Sequence, residues 1–164
     1  MQPKISIKNV VKVFGKSPQS ALELLKQGSS KKDILKKTGC TIGVNNANLD
    51  IYEGEIFVVM GLSGSGKSTL IRMLNRLIAP TSGEILIDNE NIVNMSPAEL
   101  RETRRKKISM VFQNFALFPH KTILENTEYG LEIQKISEQE RKQKAMESLE
   151  VVGLKGYENQ YPSQ

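Results

Sequence analysis

The chain has 164 residues, 38% apolar and 25% charged, which is enough for one domain with a sizeable core. A single cysteine, Cys40, excludes an internal disulfide framework and a multi-cysteine metal site, and reads as a small core or surface residue rather than a nucleophile. Met1 to Lys4 carry no apolar signal region and no apolar run nears the roughly 18 residues that span a bilayer, so a cytosolic or peripheral protein is expected.

Lys4 to Val13 alternates as a half-buried strand, with Ile5, Ile7, Val10, Val11, Val13 and then Phe14. Ser17 and Pro18 read as an N-cap and first helical position, followed by the apolar face Ala21, Leu22, Leu24 and Leu25, ending near Gly28. Ser30 to Asp33 opens a second short helix, stopped by Gly39, so residues 17–38 form a helical insertion between strands. Thr41 to Ile51 returns to strand character, and Glu53-Gly54 is a turn. Glu55 to Met60 is a short apolar run and predicts a buried strand.

Gly61, Leu62, Ser63, Gly64, Ser65, Gly66, Lys67 and Ser68, followed by Thr69, fill every fixed position of the phosphate-binding pattern G-x-x-x-x-G-K-[ST]. Apolar residues at Leu70, Ile71, Leu74, Leu77 and Ile78 predict a helix after it. The glycines let the backbone curl around an oxyanion, and the loop amides and helix N-terminus then face phosphate. In that mechanism Lys67 reaches the terminal phosphates and the Ser68 hydroxyl is a Mg²⁺ ligand. The plainer alternative is a glycine-rich turn capping an ordinary helix.

Pro80 to Gly83 reads as a turn, Glu84 to Asp88 as a strand, and Ser96-Pro97-Ala98-Glu99 as a capping box opening a helix to about Lys107. Ile108 to Phe112 predicts another strand. Thr122–Glu125 and Ser137–Glu140 are two further capping boxes, the latter starting a helix with Ala145, Met146, Leu149 and Val152 on one face and Gly153 at its end. The net charge is +5, and the basic groups at Lys31, Lys32, Lys36, Lys37 and at Arg101, Arg104 to Lys107 read as solvated helix faces rather than a nucleic-acid surface, since no aromatic residues accompany them. Two strands precede the phosphate-loop strand, unlike small GTPases and nucleoside monophosphate kinases, and no Asn-Lys-x-Asp motif occurs.

With these motifs in place the chain resembles the ATP-binding subunit of an ABC transporter, and more closely the glycine betaine/proline (quaternary amine) importers. The strings IFVVMGLSGSGKSTLIRMLNRLI, ELRETRRKKISMVFQNFALFPH and ILENTEYGLEIQKIS carry that likeness. The resemblance implies an α/β P-loop NTPase fold of the ABC ATPase type with an N-terminal antiparallel β subdomain. Residues 1–164 would be a partial nucleotide-binding domain, the N-terminal half only, without the signature, Walker B strand or regulatory tail. It further implies ATP and Mg²⁺ as cofactors, Phe14 as the aromatic that stacks on adenine, and Gly61 to Thr69 as the phosphate site. Gln113, in the Q-loop region 113–120, would contact Mg²⁺ and the attacking water, making Lys67 and Gln113 the catalytic pair and Ser68 and Gln113 the metal ligands. Taken alone, Phe14 reads as core and Gln113 as a surface residue.

His120, the single histidine, has no acidic sequence neighbour, so a docking-surface role is favoured over a proton relay. The implied partners are a second ATPase subunit, a transmembrane permease meeting the 113–120 region and, indirectly, a substrate-binding protein, with no nucleic acid. The implied place is the cytoplasmic face of the membrane. Three functions compete: an ATPase subunit powering osmoprotectant import, a nucleotide-binding module without turnover, and an ABC ATPase acting outside transport. The 164 residues alone are expected not to sustain turnover.

Overall fold

The computed structural model describes residues 2–112 and 116–164. They divide into two compact units, 1–100 and 101–164, which are taken separately.

The first unit is built on a four-stranded antiparallel sheet in the order β2-β1-β3-β4. Its strands are β1 (Ile5–Phe14), β2 (Thr41–Ile51), β3 (Ser82–Ile87) and β4 (Glu90–Asn91). β1 is central: Ile5 faces Ile51 on one side and Ile87 on the other, and Ile7 faces Leu49 and Ile85. Alternation puts Ile7, Ile85 and Ile87 in the core. Two asparagines interrupt the ladder with left-handed backbone, Asn9 (φ 51°) and Asn46 (φ 49°), where the β1–β2 register shifts. The Asn9 amide, out of the ladder, donates to Asn48 Oδ1 at 2.8 Å. Gly83 (φ 93°) sits opposite this bulge, and a Cβ there would lie 2.6 Å from Val10 Cα, so β3 can close on β1 only with glycine.

The insertion between β1 and β2 is helical as expected: α1 (Pro18–Lys26) and α2 (Lys31–Thr38). Pro18 is the first helical residue, although the Ser17 side chain makes no capping bond, whereas Ser30 Oγ accepts from the Asp33 amide. Ala21, Leu22 and Ile34 pack with Val11, Val13, Cys40 and Ile42 into one buried cluster, so Cys40 is a core residue. β3 starts at Ser82, two residues before its expected start, because the preceding Thr81 already bonds β1: its amide donates to Val11 O and its hydroxyl accepts from the Val13 amide. Asp88 and Asn89, both at positive φ, form the tight turn into β4.

The strand expected at Glu55–Met60 does not form. Nothing among the described residues pairs with it, and a strand without a ladder partner leaves its backbone groups to solvent. Ile56 is 91% exposed and Met60 86%. The helix after the phosphate loop, α3 (Lys67–Leu74), also differs: it ends where Arg76 turns left-handed (φ 53°), so Leu77 and Ile78 fall outside it, and Met73 is its buried residue while Ile71 stays exposed.

The Ser96 box, still in the first unit, is present at the start of α4 (Pro97–Lys106), whose residues from Arg101 onward belong to the second. The strand expected at Ile108–Phe112 is likewise absent, with Val111 fully open to water, for the same lack of a partner among described residues. Helices α5 (Ile123–Ile133) and α6 (Glu138–Val151) pack together. Ala145 and Leu149 are buried and Arg141 Nε meets the buried Glu128 at 3.2 Å, but Met146 and Val152, expected on the same face, are exposed. The Thr122 box is complete, whereas at Ser137 only half forms, because Glu140 turns to Lys144 instead.

Candidate functional site

The phosphate-loop sequence folds into a tight loop and hands over to α3 at Lys67, with Gly66 (φ 97°) as its N-cap and no side chain capping the first turn. The amides of that turn are therefore left for a ligand, at the positive end of the helix dipole. A Cβ on Gly61 would lie 2.8 Å from Ser65 Oγ, and one on Gly66 would collide with the Gly43 carbonyl oxygen on β2. Glycine at both positions is thus what lets the loop close on itself and on the sheet. Lys67 Nζ folds back over the loop and donates to Gly61 O at 2.7 Å and Leu62 O at 2.8 Å. These are two neutral acceptors, which an anionic phosphate oxygen would outcompete. Gly61 to Ser65 and Ser68 are exposed, and Thr69 is half-buried. A cradle of amides with an ammonium at its rim and a hydroxyl beside it fits a polyphosphate and its magnesium.

Phe14 closes β1 and lies 41% exposed, which removes the reading of it as a core residue. Lys12 Nζ sits over one face of the ring, 5.1 Å from its centroid, and is tethered to Ala79 O at 2.8 Å. The ring edge rests on Gly43 of β2, the residue whose carbonyl stops Gly66. So the sheet brings Phe14 and the phosphate loop, about 50 positions apart in sequence, to adjacent places on β2. Among the described residues no cluster of three His, Cys, Asp or Glu side chains forms; the exposed Ser68 hydroxyl beside the loop is a group that could hold a magnesium ion.

Gln113, with Asn114 and Phe115, lies outside the described residues. The remainder of the 113–120 region is organised by Asn126 of α5, a residue that no sequence pattern marks. Its Oδ1 accepts from the Phe118 amide at 2.8 Å, and its Nδ2 donates to the carbonyls of Phe118, Lys121 and Thr122 at 3.1, 2.9 and 2.9 Å. Phe118 stacks edge-to-face on Tyr129 and on the exposed His120. The first two amides of α5 are bonded by Gln160 O and Glu158 O, so the helix start also fixes the segment near residue 160. Gly43 was legible in principle, since an isolated glycine within a strand marks a close backbone approach.

Residues 44–164 match the family model described as ABC transporter. The chain belongs to the ABC transporter family. It is 65% identical over 98% of its length to the glycine betaine transport ATP-binding protein OpuAA of Bacillus subtilis. It is 56% identical over its whole length to the glycine betaine/proline betaine transport system ATP-binding protein ProV of Escherichia coli. The chain spans only 38% and 41% of those two proteins. Among solved structures, a dimeric bacterial ABC transporter cassette superposes with a TM-score of 0.78 at 35% identity, covering 98% of this chain and 62% of that one. A post-hydrolysis cassette dimer bound to ADP and phosphate gives 0.77 at 34% identity, with the same coverage. These likenesses bear out the ABC ATPase type of P-loop fold.

Proposed function

We propose that this chain is the nucleotide-binding part of an ATPase subunit that energises import of glycine betaine, proline betaine or a related quaternary amine. The observation that carries the reading is the placement of the phosphate loop and the Phe14 ring side by side on β2, in a chain so similar to glycine betaine transport ATP-binding proteins. Residues 1–164 act as a partial nucleotide-binding domain. Phe14 takes the adenine, and Gly61 to Thr69 take the phosphates. Lys67 leaves the Gly61 and Leu62 carbonyls to neutralise charge at the terminal phosphates, and the Ser68 hydroxyl, with Gln113, holds magnesium. Magnesium held there would supply charge neutralisation on the phosphates while water attacks. Gln113 helps orient that water.

The loop clamped by Asn126 offers Leu117, Pro119 and His120 to a transmembrane permease, and a second ATPase subunit pairs with the first. A substrate-binding protein delivers the amine on the far side. No described helix is long and apolar enough to cross a membrane, in keeping with a subunit held at the cytoplasmic face by its permease.

The test pairs a nucleotide titration with transport, using the full-length protein and Lys67→Ala. Losing a charged hydrogen bond to phosphate contributes about 1.5–3 kcal/mol, so affinity for Mg·ATP falls tenfold or more and glycine betaine uptake stops. Unchanged affinity refutes the phosphate site. Uptake confined to sugars or metal ions refutes the substrate class.

A further inference from the structure

Resting on that reading of Phe14 and the phosphate loop, we infer that Gly43 is a positioning residue that sets the adenine platform in register with the phosphate cradle. Its missing side chain is the berth of the Phe14 ring. A Cβ built at position 43 lies 2.6 Å from Phe14 Cε2 and 3.1 Å from Cδ2, distances at which the ring must move. The next contact, Lys12 O at 3.6 Å, is ordinary, so the ring alone is displaced.

The neighbouring geometry explains why displacement matters. One face of the ring is occupied by Lys12 Nζ, which is itself fixed to Ala79 O, so the ring cannot shift toward that side without breaking this contact. A Cβ at position 43 therefore moves the ring off its present seat on β2. The same residue's carbonyl is the stop against which Gly66 closes, and Gly66 is the N-cap of α3, where the phosphate-binding amides begin. Gly43 therefore touches the aromatic platform through its Cα and the phosphate loop through its oxygen. A nucleotide spans both sites, so displacement of the ring separates base from platform while the phosphates stay seated. Gly43 has no left-handed φ, and alanine at this position strains no backbone, leaving the ring contact as the difference.

The experiment is a binding titration on the full-length protein and on Phe14→Ala, Gly43→Ala and the double variant. Two probes are used: Mg·ATP, and magnesium tripolyphosphate, which lacks the base. Stacking of one base on an aromatic ring corresponds to about 5- to 150-fold in affinity. Gly43→Ala is expected to weaken Mg·ATP about fivefold or more and tripolyphosphate by less than about twofold. In the Phe14→Ala background the same substitution is expected to change Mg·ATP binding by less than about twofold, because no ring remains to displace. A merely destabilising substitution would weaken both probes and persist in that background, and either result overturns the inference. Full ATP affinity in Gly43→Ala beside a loss in Phe14→Ala overturns the inference and leaves the platform standing. No loss in Phe14→Ala overturns the platform and this inference with it.

Discussion

Asn126→Ala tests the organisation of the 116–122 loop. The Asn126 amide makes four contacts there, but its nitrogen has two protons for three carbonyls, so about three hydrogen bonds are effectively made. Each contributes about 0.5–1.5 kcal/mol net, and because Asn126 is half-buried, water replaces part of what is lost. The expected cost is about 1.5–3 kcal/mol, borne locally, since the bonds all close one loop onto the first turns of α5. Hydrogen exchange reads this directly. The Phe118 amide, whose acceptor is removed, should exchange about 10- to 150-fold faster, while the Leu149 amide in α6 keeps its protection. Mg·ATP affinity should not change, and stimulation of ATP turnover by the permease should fall. Exchange at Phe118 within about twofold of the parent would refute the clamp, whatever the effect on transport.

Two further outcomes follow from exposed groups. The Glu125 carboxyl is held below the ordinary 4.5, first by the backbone N–H of Thr122, against an opposing effect of desolvation, and further by the Thr122 hydroxyl and the charges of Lys121 and His120. A depressed folded value means the cap stabilises α5 above 4.5 and the contribution is lost as pH falls through the folded value, so Glu125→Gln should flatten the acid dependence of α5 exchange; identical acid profiles would exclude it. Expressed as these 164 residues, the protein should self-associate at micromolar concentration through Ile56 to Met60, and Ile56→Lys with Val58→Thr should reduce this; a monodisperse parent in sedimentation would contradict it.

The sequence by itself determined whatever depends on neighbours along the chain. The phosphate loop and its helix start, the Pro18, Ser30, Ser96 and Thr122 helix beginnings, and the bounds of β2 are all written in local chemistry: glycine where φ is positive, a side-chain oxygen three residues before an amide, alternation along a strand. It failed where a partner from elsewhere is required. Glu55–Met60 and Ile108–Phe112 have strand composition, but a strand exists only when another backbone completes its ladder, and composition does not say whether one is there. Met146 and Val152 have the spacing of a buried face, but only packing decided that α6 buries Ala145 and Leu149 and leaves them in water. The candidate site shows the same division. Residues 61–69 carry the phosphate-loop pattern unaided, whereas the meeting of Phe14, Gly43 and Gly66 on β2, and the four contacts of Asn126, join positions far apart or unmarked in sequence. Only the folded chain brings them within contact distance.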